Sequence, residues 1–310
     1  MQLTKTSLSV LLAALLCSNA AQSQPAEGAQ RSFGPWVWGL AGAAVKQFDA
    51  DLSGNDGEFD VSRAYIQPSF GYAWDRSTSV SLAVGLGYSE YNFSQGASID
   101  GQSPWDDIHD YSLSVPIRFS PHEKSNAIVI PSVRTNYERG ASADDGRTEG
   151  VIAGASWKFS ETLSLGPGFG WFSELGGGSN VFPILLIDWQ ITDKMSLSTG
   201  RGLAASQGPG LTLNYALNKQ WVLGLTGRYE KIRFALDEDN AAPQTRYGED
   251  KSVPLLITLS YSPRPRTSIS ALVGVETNGS LRLDDRDGER LYESDFDTTP
   301  VVGLSFSSSF

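Results

Sequence analysis

Apolar residues recur at every second position along most of the chain. Tyr111, Leu113, Val115, Ile117 and Phe119 alternate with Ser112, Ser114, Pro116 and Arg118. The same pattern runs from Val80 to Tyr88, Val151 to Phe159, Leu211 to Leu217 and Val253 to Tyr261. A period of two puts apolar side chains on one face of a strand and small or polar ones on the other. Helical periodicity is almost absent after Pro35. Fourteen strands are predicted, near residues 35–47, 60–74, 77–92, 109–119, 126–138, 148–159, 163–173, 181–191, 195–204, 210–217, 221–235, 251–262, 267–276 and 299–310. Twelve is the alternative count, with Gly208-Pro209 as a bend inside one element.

Alternation fits a soluble sandwich as well as a membrane barrel, and three further features separate them. Short links (Asp75–Ser77, Pro121–Ser125, Ser160–Thr162, Thr192–Lys194, Asn218–Gln220, Ser262–Arg266) alternate strictly with long, Gly-rich, acidic ones. The long ones are Asp49–Glu58, Ser94–Asp107, Arg139–Arg147, Glu174–Asn180, Asp237–Asp250 and Thr277–Asp297. Outer-membrane barrels segregate short periplasmic turns from long external loops in this way. Trp74, Phe119, Phe159, Trp189, Trp221 and Tyr261 each stand close to a short turn, where a girdle at one membrane interface would lie. The last strand alternates Val302, Leu304, Phe306 and ends in Phe310. That ending resembles the C-terminal signal by which the barrel-assembly machinery recognises Gram-negative outer-membrane barrels; Ser308 interrupts its apolar face. The expected fold is therefore all-β, an antiparallel transmembrane outer-membrane barrel over residues 35–310.

The N-terminus carries Lys5, an apolar run from Leu8 to Leu16, and small residues around Ala20 and Ser23. This reads as a secretory signal peptide, residues 1–23, followed by a short segment, 24–34. Cleavage after Ala20 or Ser23 removes Cys17; a lipoprotein signal would instead keep it, but Leu16 is large for the residue before a lipidated cysteine. Composition narrows the remaining classes. One cysteine supports no internal disulfide framework or multi-cysteine zinc site. A formal net charge of −11 argues against a nucleic-acid partner.

The second half is similar to an uncharacterised, domain-of-unknown-function family of bacterial outer-membrane barrels. The segments that carry the resemblance are Gly208–Leu211, Arg228–Phe234, Ser252–Leu255, and the run from Gly274 through Leu283-Asp284-Asp285 to Thr299-Pro300 and Phe310. The resemblance implies fold and compartment and brings no functional residue with it.

Lumen-lining candidates follow from parity. If Tyr229 faces lipid, Arg228 and Glu230 face inward; Arg134, Asn136 and Glu138 share an inward face, as do Arg63, Tyr65 and Gln67, and Asp188 with Gln190. Such charges either set selectivity or bind a polar solute, or else brace the wall as Arg–Glu pairs. Arg233 falls on the outward parity unless a bulge turns it. Asp285, Asp287 and Glu289 have part of a calcium-loop pattern without its first and last ligands. His109, flanked by Asp106, Asp107 and Asp110, is the one histidine placed for hydrolysis, since His122 sits in a short turn.

The expected function is a channel or passive transporter for small solutes in the bacterial outer membrane, with no cofactor. Its partners would be membrane lipid, lipopolysaccharide and the barrel-assembly machinery. The alternatives are a hydrolase centred on His109, and a sealed structural or adhesive barrel acting through its loops. A plug would have to come from a folded-in loop such as Thr277–Asp297, and a barrel of this size also permits lateral entry of apolar molecules.

Overall fold

The computed structural model describes residues 35–310 except positions 76, 103, 202–208, 240, 241 and 243. The predicted signal peptide, residues 24–34, Cys17 and Gly208 lie outside the described residues. One sheet contains β1 (Trp36–Asp51), β2 (Glu58–Ala73), β3 (Ser79–Phe93), β4 (Ile108–Ser114), β5 (Ile117–Phe119) and β6 (Ser125–Glu138). It continues through β7 (Arg147–Lys158), β8 (Leu163–Ser173), β9 (Ser179–Gln190), β10 (Met195–Arg201), β11 (Pro209–Ala216) and β12 (Trp221–Arg228). The last segments are β13 (Glu230–Ala235), β14 (Tyr247–Arg264), β15 (Thr267–Asp284), β16 (Arg290–Phe296) and β17 (Thr299–Ser309).

Three pairs of segments, β4 with β5, β12 with β13 and β16 with β17, each continue one wall strand, so the wall has the 14 strands that the alternation predicts. Pro116 marks the first break; it has no N–H to give, and its carbonyl accepts the amide of Ser81 at 3.0 Å. β1 pairs antiparallel with β2 on one side and with β17, from Gly39–Ser309 to Gln47–Val301, on the other. The sheet is thus a closed barrel without a free outer edge. β10 and β11 are separate hairpin strands, paired from Met195–Tyr215 to Arg201–Pro209, which excludes the twelve-strand count.

The predicted loop Thr277–Asp297 is mostly strand. β15 runs on to Asp284 and β16 returns from Arg290, leaving only a tip at 285–289. Asn278, at φ 50°, sits where β14 and β15 slip register, and beyond it Leu281 and Leu283 turn inward and are fully buried. Burying those two side chains is what makes the extended hairpin worth ordering. β14 begins early for the same reason, opposite this extension.

Short and long connections fall at opposite ends, as the sequence indicates. In the short turn after β2, Asp75 accepts the Ser77 hydroxyl and amide, each at 2.7 Å, and the Thr78 amide at 2.8 Å. These bonds, the Ser77 side chain first, pull its carboxyl down to about 2. The outward face is apolar and exposed along most wall strands, with Leu82, Leu113, Leu185, Leu225, Ile257, Val273 and Leu304 among the exposed residues. No helix among the described residues is long and apolar enough to cross a membrane, and any crossing falls to the strands. At the short-turn end Trp74, Phe119, Phe159, Trp189 and Trp221 are exposed, and the Trp221 ring lies tilted, 4.7 Å from that of Tyr261. Trp36, Trp38, Trp157 and Phe310 stand at the same end. Phe310 exchanges backbone hydrogen bonds with Trp38 at 2.8 and 3.1 Å, and Ser308 satisfies its hydroxyl against Thr267 at 2.9 Å.

Candidate functional site

The lumen is layered. Near the short turns, the inward positions are small and polar: Ser69, Ser81, Ser112, Ser132, Ser260 and Ser270, with Ser260 and Ser270 hydrogen-bonded at 2.8 Å. Asp188 lies on this face, exposed, between Ser164 and Ser198 on the neighbouring strands. Above them Leu256, Leu272 and Val301 pack with Val45.

A charged layer comes next. Arg63 reaches Asp250 at 2.6 Å, Glu276 at 3.3 Å and Gln47 at 3.3 Å. Tyr91 donates its hydroxyl to Asp250 at 2.7 Å, with the Arg63 guanidinium 6.0 Å over its ring. Arg228 pairs with Glu230 at 2.7 Å, and Arg134 approaches Asp110 at 3.7 Å. The sequence reading missed Asp250 and Glu276. Their signal was available: Leu255 and Ile257 face outward, so parity carried back along β14 sends Asp250 inward, and Leu272 does the same for Glu276.

At the long-loop end the lumen is filled. Phe59, Val61, Tyr91, Ile99, Trp105, Ile108, Ile232, Phe234, Leu281, Leu283 and Phe296 belong to one buried core. Most of it comes from strand extensions, with Ile99 and Trp105 supplied by the connection after β3; Thr277–Asp297 contributes Leu281, Leu283 and Phe296, from β15 and β16 rather than from a folded-in loop. Phe234 lies over Gly248 and Phe296 over Gly279 on adjacent strands; a Cβ on either glycine would fall 2.3 and 2.0 Å from the ring.

This core is enclosed by an unusual closure. In an up-and-down barrel, neighbouring strands are antiparallel. Yet β13 pairs in parallel with β6, at Ala235–Tyr137. The wall has folded across itself, so β13 bypasses β7 to β11 and completes a smaller ring with β6. Asn136 supports the crossing by donating to the Arg233 carbonyl at 3.1 Å. Glu138, 2% exposed, accepts the amide of Asp106 at 2.6 Å with one oxygen and that of Asp237 at 2.7 Å with the other. Glu138→Gln would place an amide NH2 against one of those donors. It should cost about 1–3 kcal/mol for the group left unpaired, and limited proteolysis should cut the 94–107 and 236–246 connections faster than in the wild type.

Arg233 keeps its outward parity and is nonetheless buried. It bonds Asp284 at 2.5 Å, lies 3.4 Å from Glu249 and 4.0 Å from Glu174, and is covered by the turn holding the buried Leu175.

On the bypassed side, β9 is apolar on both faces. Val181 and Leu185 are exposed outward, whereas Phe182, Ile184 and Leu186 face inward, half-buried. The unbroken run Val181–Ile187 was the sequence signal for this wall. Among the described residues its pairing with β10 covers three rungs, Gln190–Ser196 to Asp188–Ser198. Beyond them the Thr199 hydroxyl stands in for the ladder, accepting the Ile187 amide at 3.0 Å and donating to the Leu185 carbonyl at 2.5 Å.

The cluster read around His109 is divided between two faces, as alternation of adjacent residues requires. Asp110 turns inward to Arg134. His109 faces outward among the rings of Tyr88, Tyr137 and Tyr111, at 5.4, 5.5 and 6.3 Å. Asp107 accepts the Tyr88 hydroxyl at 2.6 Å, and Asp106 pairs with Arg139 at 2.5 Å. Asp285 spends one oxygen on the amides of Asp287 and Glu289, each at 2.9 Å. Among the described residues no group of three or more His, Cys, Asp or Glu side chains is arranged to hold a metal ion.

Residues 150–310, β7 to β17 with the end of the chain, match the family model described as "Domain of unknown function (DUF6268)". The chain belongs to the DUF6268 family. No curated protein sequence matches it. Among solved structures, the DUF6268 barrel is similar to an outer membrane channel from Pseudomonas putida F1 at 10% identity, with 89% of this chain and 96% of that one covered and a TM-score of 0.48. A Pseudomonas aeruginosa FadL homologue aligns at 13% identity over 88% and 89% of the two chains, TM-score 0.45. The P. putida toluene transporter TodX aligns at 11% over 89% and 90%, TM-score 0.41.

Proposed function

We propose that this DUF6268 protein is a passive channel or transporter for small solutes in the bacterial outer membrane. The observation that carries the reading is the closed ring: apolar all round its outside, with a lumen of small polar side chains at the short-turn end. Membrane lipid and lipopolysaccharide would surround it, and the barrel-assembly machinery would engage the strand ending in Phe310. Arg63, Arg134, Glu138, Arg228 and Glu230 then brace the lumen as ion pairs and hydrogen-bonded struts, and Asp188 faces the solute at the open end. The buried core at the other end speaks against a permanently open axial pore. That core also favours, as a second reading, a sealed barrel acting through its loops.

Uptake measured in Gram-negative cells decides between them. Cells displaying the folded barrel should accumulate at least one class in a panel of polar and apolar small solutes several-fold faster than cells without it. A barrel that shows heat-modifiable migration on gels and changes no uptake would overturn the transport reading. His109→Ala should leave uptake within about twofold of wild type, because the imidazole sits outside the lumen among tyrosine rings; loss of a hydrolytic activity in that variant would instead support the enzyme reading.

A further inference from the structure

A pocket lies between the apolar layer of the lumen and the charged one. Arg63, Arg228, Glu230 and Glu276 line it from the charged side, and Leu256 and Leu272 from the apolar side. Its volume is about 20 Å³, room for one hydroxyl-sized group. The polar atoms around it are not all used. Arg63 gives Nη1 to Gln47 and to Glu276, each at 3.3 Å, and Nη2 to Asp250 at 2.6 Å. Its Nε has no hydrogen-bond partner among the described residues, and neither has Oε2 of Glu276, a residue 3% exposed. Gln47, fully buried against Arg63, leaves its Nε2 unpaired as well. Buried polar atoms without partners are unfavourable, and a ligand that supplies the partners recovers that free energy.

The missing partners define the ligand. The N–H groups of Arg63 and Gln47 need an acceptor, and Oε2 of Glu276 needs a donor. An alcohol hydroxyl is both, since it accepts two hydrogen bonds and donates one. The lining charges are two guanidiniums and two carboxylates, so a charged ligand gains little. An anion would face Glu230 and Glu276, and a cation Arg63 and Arg228, each after losing its water shell. A purely apolar molecule would leave the same polar atoms unpaired. A short chain of C–H and O–H groups suits both sides, with its carbons against Leu256 and Leu272.

We infer that this pocket binds one hydroxyl of a small neutral polyol, the rest of the molecule lying in the serine-lined lumen below it. The site goes beyond the transport reading and holds whether or not the polyol crosses the membrane.

The test uses the full-length protein in lipid nanodiscs, with saturation-transfer NMR of three probes of one size: glycerol, glycerate and 3-amino-1,2-propanediol. Glycerol should show saturable transfer above that of empty nanodiscs, and the two charged probes at least tenfold weaker binding. Glu276→Ala removes the acceptor and should weaken glycerol binding about tenfold. Leu272→Phe fills the pocket, leaves every polar group in place and should weaken it as much. Heat-modifiable migration checks the folding of each variant, and Leu272→Phe alone carries the test if Glu276→Ala does not assemble. A folded wild type without saturable glycerol transfer would overturn the site and leave water as its occupant. Glycerol binding that the folded variants retain would overturn it too, and a charged probe that binds as well as glycerol would overturn the neutral class. Glycerol binding in a barrel that takes up no solute of the panel would keep the site and remove the transport reading. Uptake without glycerol binding would remove the site alone.

Discussion

Replacing Arg63 with alanine should destabilise the barrel by about 3–5 kcal/mol, the range for stripping one partner from a buried ionic network. Two guanidiniums, Arg63 and Arg228, face the three carboxylates of Asp250, Glu276 and Glu230 in this layer. Arg63 forms the ion pairs to both Asp250 and Glu276, each 3% exposed. Without it both carboxylates stay buried and lose the cation that they pair with, and Gln47 loses its contact as well. Urea unfolding in detergent or vesicles, followed by tryptophan fluorescence, reads the change as a lower midpoint. Arg63→Lys should recover only part of it, because one ammonium cannot span Asp250 and Glu276 as the forked guanidinium does. An alanine variant with the wild-type midpoint would mean that water reaches this layer and that its charges are solvated.

Phe234→Ala is the second large effect, at about 3–5 kcal/mol for a phenylalanine deleted from a packed core. Phe234 is fully buried, lies over Gly248, and meets Trp105 edge-on at 4.9 Å. Its loss should also change what the barrel conducts. In a planar bilayer the wild type should show no large steady current, since the core fills the axis; the variant should show discrete openings where the vacancy connects lumen and outside. A wild-type protein with a large steady conductance would show that the core is not the barrier.

Much of this architecture is legible in the alternation. Strands that are apolar on one face and small on the other, such as β3 and β7, announce both their existence and their orientation. The alternation of link lengths gives the two ends. The parts that escape are those in which the pattern changes meaning. In Ser280–Asp284 the alternation continues, but the apolar residues switch from the outside to the inside, so a strand extension reads as a loop with two stray leucines. In Val181–Ile187 both faces are apolar and no parity can be assigned. Around His109, residues adjacent in sequence look like one site although alternation must send them to opposite faces. The crossing of β13 to β6 depends on contacts between residues about a hundred positions apart, for which a local pattern holds no signal.

The wall that folds across itself separates two mechanical duties. The small ring completed by β6 and β13 holds its shape through a rigid packed interior, so it acts as a bulkhead against water and ions. β7 to β11 stand outside that ring at the same end, so side chains on these strands can change without disturbing the bulkhead. A cell envelope has to stay tight to ions whether or not anything is being exchanged. In this barrel the packed seal and the wall beside it are built on different strands, so either can be altered while the other keeps working.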